Sequence, residues 1–176
     1  MLALATLVLA AAPSCAMMVH GARQETDPHL IALFNDVVRR SGITAGVTLC
    51  AAPGMAQGHR AGTARVPDAK PPHYNMYLGS SFRKRLDDLE LRGVIAHELA
   101  HIVRDDLSPP PFWHMEAWED YLAREATVDA LAATWVGPEA LIAAMRKDCD
   151  IASSDGTSTT GMILELTYRE LKLEGW

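Results

Sequence analysis

The segment His97-Glu98-Leu99-Ala100-His101 constrains this chain more than any other. On a helix that turns about 100° per residue, its two histidines and the glutamate occupy an arc of about 100° and can face one ion. Neutral imidazole nitrogens are good Zn²⁺ ligands, and a carboxylate that does not bind the metal can take a proton from water. The pattern therefore predicts a hydrolytic zinc site on a single helical turn.

The residues around this motif indicate a buried helix. Asp87, or Asp88, can cap its start, and Asp87 with Glu90 resembles a capping box. Residues 91–103 then run without a proline, and apolar side chains cover most of the circumference. Unpaired buried polar groups cost about 1 to 3 kcal/mol each, so the two histidines need partners. A metal ion supplies them, which favours a metal site over histidines that merely pack in a core.

A catalytic zinc site of this kind needs a third protein ligand. A metzincin would place glycine and histidine at the third and sixth positions after the second histidine. Those positions are Arg104 and Leu107 here, so that class is excluded.

A second amphipathic segment, from Trp113 to Val136, supplies the missing carboxylate. Its apolar residues recur at three-and-four spacing, and Glu125 and Asp129 fall on the same stripe. Glu125 is therefore predicted to be the third ligand, and Asp129 is predicted to accept a hydrogen bond from a ligating histidine. The alternative, ordinary surface acids, suits other carboxylates of the segment better, namely Glu116, Glu119 and Asp120.

Two blocks of sequence resemble the gluzincin metallopeptidases, and within them the HtpX-like family and the minigluzincins. They are DDLELRGVIAHELAHIVRDD at 87–106 and REATVDALAATWVGPEALIAAM at 124–145, inside a similarity that covers about residues 27–147. The resemblance implies an α+β domain whose small sheet packs on an HExxH helix and a glutamate helix. In it the zinc ligands would be His97, His101 and Glu125, the general base Glu98, and the orienting acid Asp129.

Two features depart from that family. The chain between the motifs is shorter than in its larger members, and residues 150–176 contain no HP-x-x-x-x-R element. The short spacing is also similar to ImmA/IrrE-type regulatory peptidases, which remain a sub-family alternative.

The activity implied is that of a zinc-dependent metalloendopeptidase acting on a peptide or protein substrate. The alternative is a non-catalytic metal-binding or protein-binding module on the same scaffold, with His114 or Cys149 closing the fourth metal position. An intact Glu98 has no purpose in a purely structural site and favours the enzyme. Candidates for stabilising the oxyanion stay open by chemistry alone: His73, His114, Tyr121 and Tyr168.

Length and charge limit the other possibilities. With 176 residues, of which 49% are hydrophobic, the chain can form one metallopeptidase domain over residues 27–176. A net charge of −6 without a basic stripe argues against nucleic acid as the main partner.

Local signals place the remaining elements. Asp27 and Pro28 begin a helix that Gly42 ends. Strands are predicted at 47–51 and 74–78, with a short edge strand at 63–66. The strand at 74–78 would lie beside the active-site helix, where an edge strand holds the substrate in gluzincins. A further helix is predicted at 139–147, and Thr159 or Thr160 is predicted to cap a last helix that runs through Leu173. The stretch 153–160, rich in serine and threonine, is predicted to be a linker or flexible loop.

Residues 1–26 are expected to be signal-peptide-like or flexible. Residues 2–12 form an apolar run of signal-peptide length, and Ser14-Cys15-Ala16 resembles a cleavage site, although no Lys or Arg precedes the run. Export to a periplasmic or extracellular compartment is favoured, with a cytoplasmic protein starting at Met17 or Met18 as the alternative. Membrane association through this segment stays open. Removal of Cys15 would leave Cys50 and Cys149 as a pair able to form a disulfide, or as two unrelated thiols.

Overall fold

The computed structural model describes residues 15–17, 19–53, 55, 60–107 and 118–175 of the chain. It is an α+β fold, as predicted, with a four-stranded sheet packed on helices. The strands are β1 (Arg23–Gln24), β2 (Gly46–Ala52), β3 (Ala61–Arg65) and β4 (His73–Gly79). The helices are α1 (Pro28–Ser41), α2 (Ser80–Arg83), α3 (Asp88–Arg104), α4 (Trp118–Val136), α5 (Pro138–Ser154) and α6 (Thr160–Leu173). No helix in the described ranges is long and apolar enough to span a membrane.

The sheet is mixed, with strand order β1-β2-β4-β3. Strands β2 and β4 are parallel, and β4 pairs with β3 in antiparallel fashion. The prediction that residues 74–78 form the edge strand is therefore wrong, because β3 lies at the edge next to α3 and β4 lies inside. The burial pattern gives the reason: β4 is buried at every position after His73, whereas β3 is half-buried or exposed throughout. A strand whose two faces are both covered fits the interior of a sheet.

The main core lies between one face of the sheet and the helices. Alternate strand residues such as Leu49 and Met76 point into it, where they meet α1 and the apolar side of α3. Helix α3 is enclosed because Ile95 and Leu99 are fully buried. Gly93 allows its close approach to α5, since a Cβ atom there would lie 2.2 Å from the backbone oxygen of Ala140.

Helix ends follow the capping residues predicted from the sequence. The Asp27 side chain accepts a hydrogen bond from the His29 N–H at 2.9 Å, and Gly42 ends α1 in the left-handed region at φ 70°. In α3 the capping box is complete: Asp87 Oδ1 accepts from the Glu90 N–H, and Glu90 Oε2 accepts from the Asp87 N–H. These contacts fix where the motif-bearing helix begins.

Of the two C-terminal helices, α5 is longer than predicted, whereas α6 has the predicted cap and the predicted end at Leu173. Helix α5 extends to Ser154, seven residues beyond the predicted end, because the buried side chains of Ile151 and Ala152 continue its apolar face into the core. Residues 153 and 154 are therefore helical rather than part of a linker. Helix α6 begins after Thr159, whose side chain accepts from the Met162 N–H at 3.1 Å. For α4, predicted residues 113–117 lie outside the described residues.

The cysteines pair in a way that neither alternative from the sequence included, because both alternatives assumed that Cys15 is removed. Cys50 forms a disulfide with Cys15, and Cys149 is a free thiol. The side chain of Cys50 points to the face of β2 opposite Leu49, where it packs in a small second cluster with Cys15 and Tyr77. Cys149 lies on α5, which packs on α3 on the other side of the sheet.

Ordered structure extends N-terminal to the expected boundary at residue 27. Strand β1 pairs with the end of β2 in the register Arg23 to Ala51. The disulfide then ties Cys15 to the same strand. The apolar run 2–12 and Ser14 lie outside the described residues.

Candidate metal centre

Three side chains that could bind a metal ion, called here the metal-binding group, converge where α3 and α4 pack together. The Nε2 atoms of His97 and His101 are 3.2 Å apart. Glu125 Oε2 lies 3.4 Å from Nε2 of His97 and 3.7 Å from Nε2 of His101. The helical turn of α3 presents both histidines on one side, and α4 supplies the carboxylate across the interface. These three residues form a group that can hold a metal ion, and the sequence predicted all three.

The group is shielded from solvent on most sides. Glu125 is 5% exposed, and the two histidine side chains are 18% and 13% exposed. A carboxylate with so little water around it needs a cation or hydrogen-bond donors nearby. Arg124 is one such cation, since its Nη1 lies 3.5 Å from Glu125 Oε1. The other carboxylate oxygen, Oε2, faces the two histidines, and the three side chains together could hold a metal ion.

Asp129 makes the contact that its position on α4 predicted. It is 1% exposed, and its Oδ1 lies 2.9 Å from Nδ1 of His97, the ring nitrogen directed away from the metal-binding group. With a proton on Nδ1, His97 donates to Asp129 and keeps the Nε2 lone pair free for an ion. In that tautomer, Asp129 also fixes the orientation of the His97 ring.

The charge of Asp129 is maintained by its neighbours. Burial raises the pKa of this carboxyl, but hydrogen bonds from His97 and Arg169 outweigh burial and hold the pKa well below its ordinary value. The carboxylate is therefore ionised near neutral pH.

Arg169 is a member of the site that the sequence reasoning missed. It reaches the site from α6, and its guanidinium donates to Glu165 Oε1 at 3.0 Å as well as to Asp129. Its Nη1 also lies 3.9 Å from Glu125 Oε2, and its Nη2 lies 3.1 Å from Nδ1 of His97. The sequence signal was weak, because a single arginine four residues after a glutamate is common on exposed helices.

Asp106 is a second residue that the sequence reasoning missed. Its Oδ1 lies 2.7 Å from Nδ1 of His101. Each histidine of the group therefore has its own carboxylate at Nδ1, with Asp129 serving His97 and Asp106 serving His101. The available signal was the proximity in sequence, since Asp106 follows His101 by five residues, just beyond the end of α3.

Glu98 lies beside the group, between α3 and the edge strand β3. The Thr63 hydroxyl of β3 lies 3.4 Å from Glu98 Oε2. Glu98 also lines a cavity of about 280 Å³ together with His97 and Glu125. The carboxylate proposed from the sequence as general base thus borders both the metal-binding group and an open space.

The cavity continues along α3, away from the metal-binding group. One helical turn before His97 its wall is formed by Gly93 and Val94, and the rest of that wall comes from β3, α2, α5 and α6. Arg60 and Asp148, which form an ion pair, also line it. Its apolar side chains are Ala61, Phe82, Val94, Leu141, Ala144, Met145 and Leu166.

The four oxyanion candidates have different surroundings. Tyr121 lines the cavity and donates a hydrogen bond to Glu165 at 2.9 Å, and burial, then Glu165, raises its pKa. His73 lies at the start of β4 within 2.8 Å of the Thr48 hydroxyl, on the sheet face opposite the core residue Tyr74. Tyr168 contacts Lys172 on α6. His114 lies outside the described residues.

Comparison with protein-family models, with curated proteins and with solved structures finds no match to this chain. The resemblance to gluzincins thus depends on the two motif-bearing blocks of sequence. The structure brings the candidate ligands of both blocks to one point, and the family stays a prediction.

Proposed function

We propose that this protein is a zinc-dependent metalloendopeptidase. The observation that carries the proposal is the arrangement of His97, His101 and Glu125, whose ligand atoms are separated by 3.2, 3.4 and 3.7 Å. Zinc bonds of about 2.0 to 2.1 Å in a tetrahedral geometry place neighbouring ligands about 3.3 Å apart. The donor types and the separations both fit zinc.

The residues of the site have distinct parts in the proposed reaction. Zinc, when bound, supplies Lewis acidity and lowers the pKa of water to about 7. Glu98 takes a proton from the attacking water and passes it to the leaving amine. Asp129 and Arg169 act at a distance from the reacting atoms and keep His97 in the orientation that the zinc site requires.

The edge of the sheet offers a place for an extended peptide. Within the described part of the chain, no strand pairs with the outer edge of β3, and β3 lies next to the helix that bears Glu98. Backbone groups of a peptide can pair with such an edge. A peptide bound there would pass close to Glu98, because Thr63 of β3 already contacts that carboxylate.

The apolar wall of the cavity suits one apolar side chain next to the scissile bond. An apolar cavity of about 150 Å³ is large enough to hold benzene. The cavity here is about 280 Å³, which leaves room for a side chain as well as the reacting peptide group. The charges of Arg60 and Asp148 compensate each other in an ion pair, so these two residues add no net charge to the wall.

The competing function is a metal-binding or protein-binding module with a closed structural site. Among the residues that the structure describes, the metal-binding group has three donors, and the thiol of Cys149 is not one of them. Three protein donors leave one tetrahedral position for water or substrate, which supports the enzyme. His114 lies outside the described residues, so the choice depends on a test of activity.

We also propose that the protein works in an oxidising compartment outside the cytoplasm. The disulfide between Cys15 and Cys50 supports this proposal, since such bonds persist in oxidising surroundings. A chain starting at Met17 or Met18 would lack Cys15, and so would a chain cleaved after Ala16, so the proposal requires an exported protein that retains Cys15.

The test is hydrolysis of casein by the purified full chain, with and without a chelator. We expect cleavage by the wild type, loss of cleavage with the chelator, and recovery on addition of zinc. Glu98→Gln should lower the rate by about 100-fold or more, because general acid–base catalysis contributes about 10²- to 10⁴-fold. The matched control is Glu119→Gln on the exposed side of α4. Equal rates for Glu98→Gln and wild type would remove Glu98 as the base, and zinc-loaded wild type that cleaves nothing would favour the binding module.

A further inference from the structure

The end of helix α3 is shaped so that the chain turns back toward His101. Asp105, the first residue after the helix, adopts the left-handed conformation with φ 54° and ψ 37°. Its N–H donates to the Ile102 carbonyl at 3.2 Å, and the N–H of Asp106 donates to the His101 carbonyl at 3.3 Å. Aspartate is one of the few residues other than glycine that tolerate this conformation. The turn places the Asp106 carboxylate next to the ring of His101.

The carboxylate of Asp106 makes two contacts in this turn. Its Oδ1 lies 2.7 Å from Nδ1 of His101, and its Oδ2 accepts from Nε of Arg104 at 3.1 Å. Asp106 is 18% exposed and His101 is 13% exposed, so their contact is largely shielded from water. Nε2 of His101 faces the opposite way, toward Nε2 of His97 and Glu125.

We propose that Asp106 is a positioning residue for the metal site, which it serves by holding His101 in the tautomer with the proton on Nδ1. The left-handed turn at Asp105 brings it into place. A carboxylate at one ring nitrogen keeps the proton there and leaves the other nitrogen free to bind an ion. The inference deepens the proposed function and adds a second positioning carboxylate to Asp129.

The contact between Asp106 and His101 depends on one turn of backbone, so it can be tested without changing the other residues of the site. Asp129 reaches His97 from another helix and is tied to Arg169 and the core. Asp106 depends on the backbone of a single turn, so a change at Asp105 alters it without replacing a group that touches the metal-binding residues. Substitutions at Asp105 therefore test the turn itself.

The variants are Asp106→Ala, Asp105→Val and Asp105→Gly, with Asp150→Ala on the exposed side of α5 as a control for loss of one carboxylate. Valine strongly disfavours a positive φ, whereas glycine adopts it freely. Zinc affinity is measured by competition with a chromophoric chelator on metal-free full-length protein. We expect Asp106→Ala to bind zinc about 10- to 100-fold more weakly. Asp105→Val should also weaken zinc binding, and Asp105→Gly and Asp150→Ala should stay within about twofold of wild type.

The second measurement is the tautomer of His101, read from the ¹⁵N chemical shifts of its ring in metal-free protein. The wild type should show the Nδ1–H form, and Asp106→Ala should show a mixture in which Nε2–H is populated. This signature would not move if Asp106 only stabilised the helix end. The tautomer measurement also separates this inference from the proposed function. Wild-type protein that binds no zinc would contradict the zinc peptidase, whereas the tautomer of His101 tests the role of Asp106 in either case.

The inference is overturned if His101 is in the Nε2–H form in the wild type. It is also overturned if Asp106→Ala, folded as judged by circular dichroism, binds zinc as tightly as the wild type does. Should Asp106→Ala fail to fold, Asp106→Asn replaces it, with the same two measurements and the same directions expected.

Discussion

Arg169 donates two hydrogen bonds to Asp129, from Nε to Oδ2 at 2.6 Å and from Nη2 to Oδ1 at 2.9 Å. The pair joins α6 to α4 behind the metal-binding group, and both side chains are buried. Because Asp129 also contacts His97, the last helix of the chain is connected through two hydrogen-bonded residues to the motif that dominates the sequence.

Replacing Arg169 should destabilise the whole fold. Arg169→Met leaves the Asp129 carboxylate buried without its main cation, and breaking a buried ion pair from one side costs about 3 to 5 kcal/mol. The measurement is chemical denaturation of metal-free protein. The control is Arg146→Met, since Arg146 pairs with Glu170 while its side chain is 64% exposed, and its loss should change stability little. Equal stability of the two variants would show that the buried Arg169–Asp129 pair contributes no more to stability than the exposed Arg146–Glu170 pair does.

Asp129 and Glu125 should differ in their effect on metal binding. Asp129→Asn keeps the shape of the side chain but weakens the hold on His97, and it should lower zinc affinity by about 10- to 100-fold. Glu125→Ala removes a ligand and should cost more. Competition titrations of both variants give the order directly. The reverse order, with the larger loss in Asp129→Asn, would argue against Glu125 as a ligand.

The disulfide predicts that substitutions of Cys50 and Cys149 differ in their effect on stability. Cys50→Ser should lower the free energy of unfolding under non-reducing conditions by about 2 to 4 kcal/mol, because the bond closes a loop with a sequence separation of 35. Cys149→Ser is the control and should have little effect. Of the three cysteines two are paired, so thiol titration of denatured, unreduced protein should find one thiol per chain. A digest containing Cys50 linked to Cys149 would contradict the observed pairing.

The parts of the fold that the sequence predicted depend on short-range rules. The capping residues Asp27 and Asp87 set helix starts through contacts within three residues. The spacing of four between His97 and His101, and between Glu125 and Asp129, fixes the side of the helix on which each pair lies. These relations hold before any tertiary contact forms.

The parts that were missed depend on long-range packing. The interior position of β4 follows from the strand order, which no local pattern determines. Arg169 is 40 residues from Asp129, and only the packing of α6 against α4 brings them together. Cys15 and Cys50 meet because a short β1 strand pairs with β2, and two residues are too few to give a periodic signal.

Metal analysis of the native protein tests the central claim most directly. Wild-type protein purified without chelators should carry close to one zinc ion per chain, and His97→Ala prepared in the same way should carry almost none. A folded wild-type protein whose zinc content is near zero, and which takes up no zinc when it is supplied, would contradict the account.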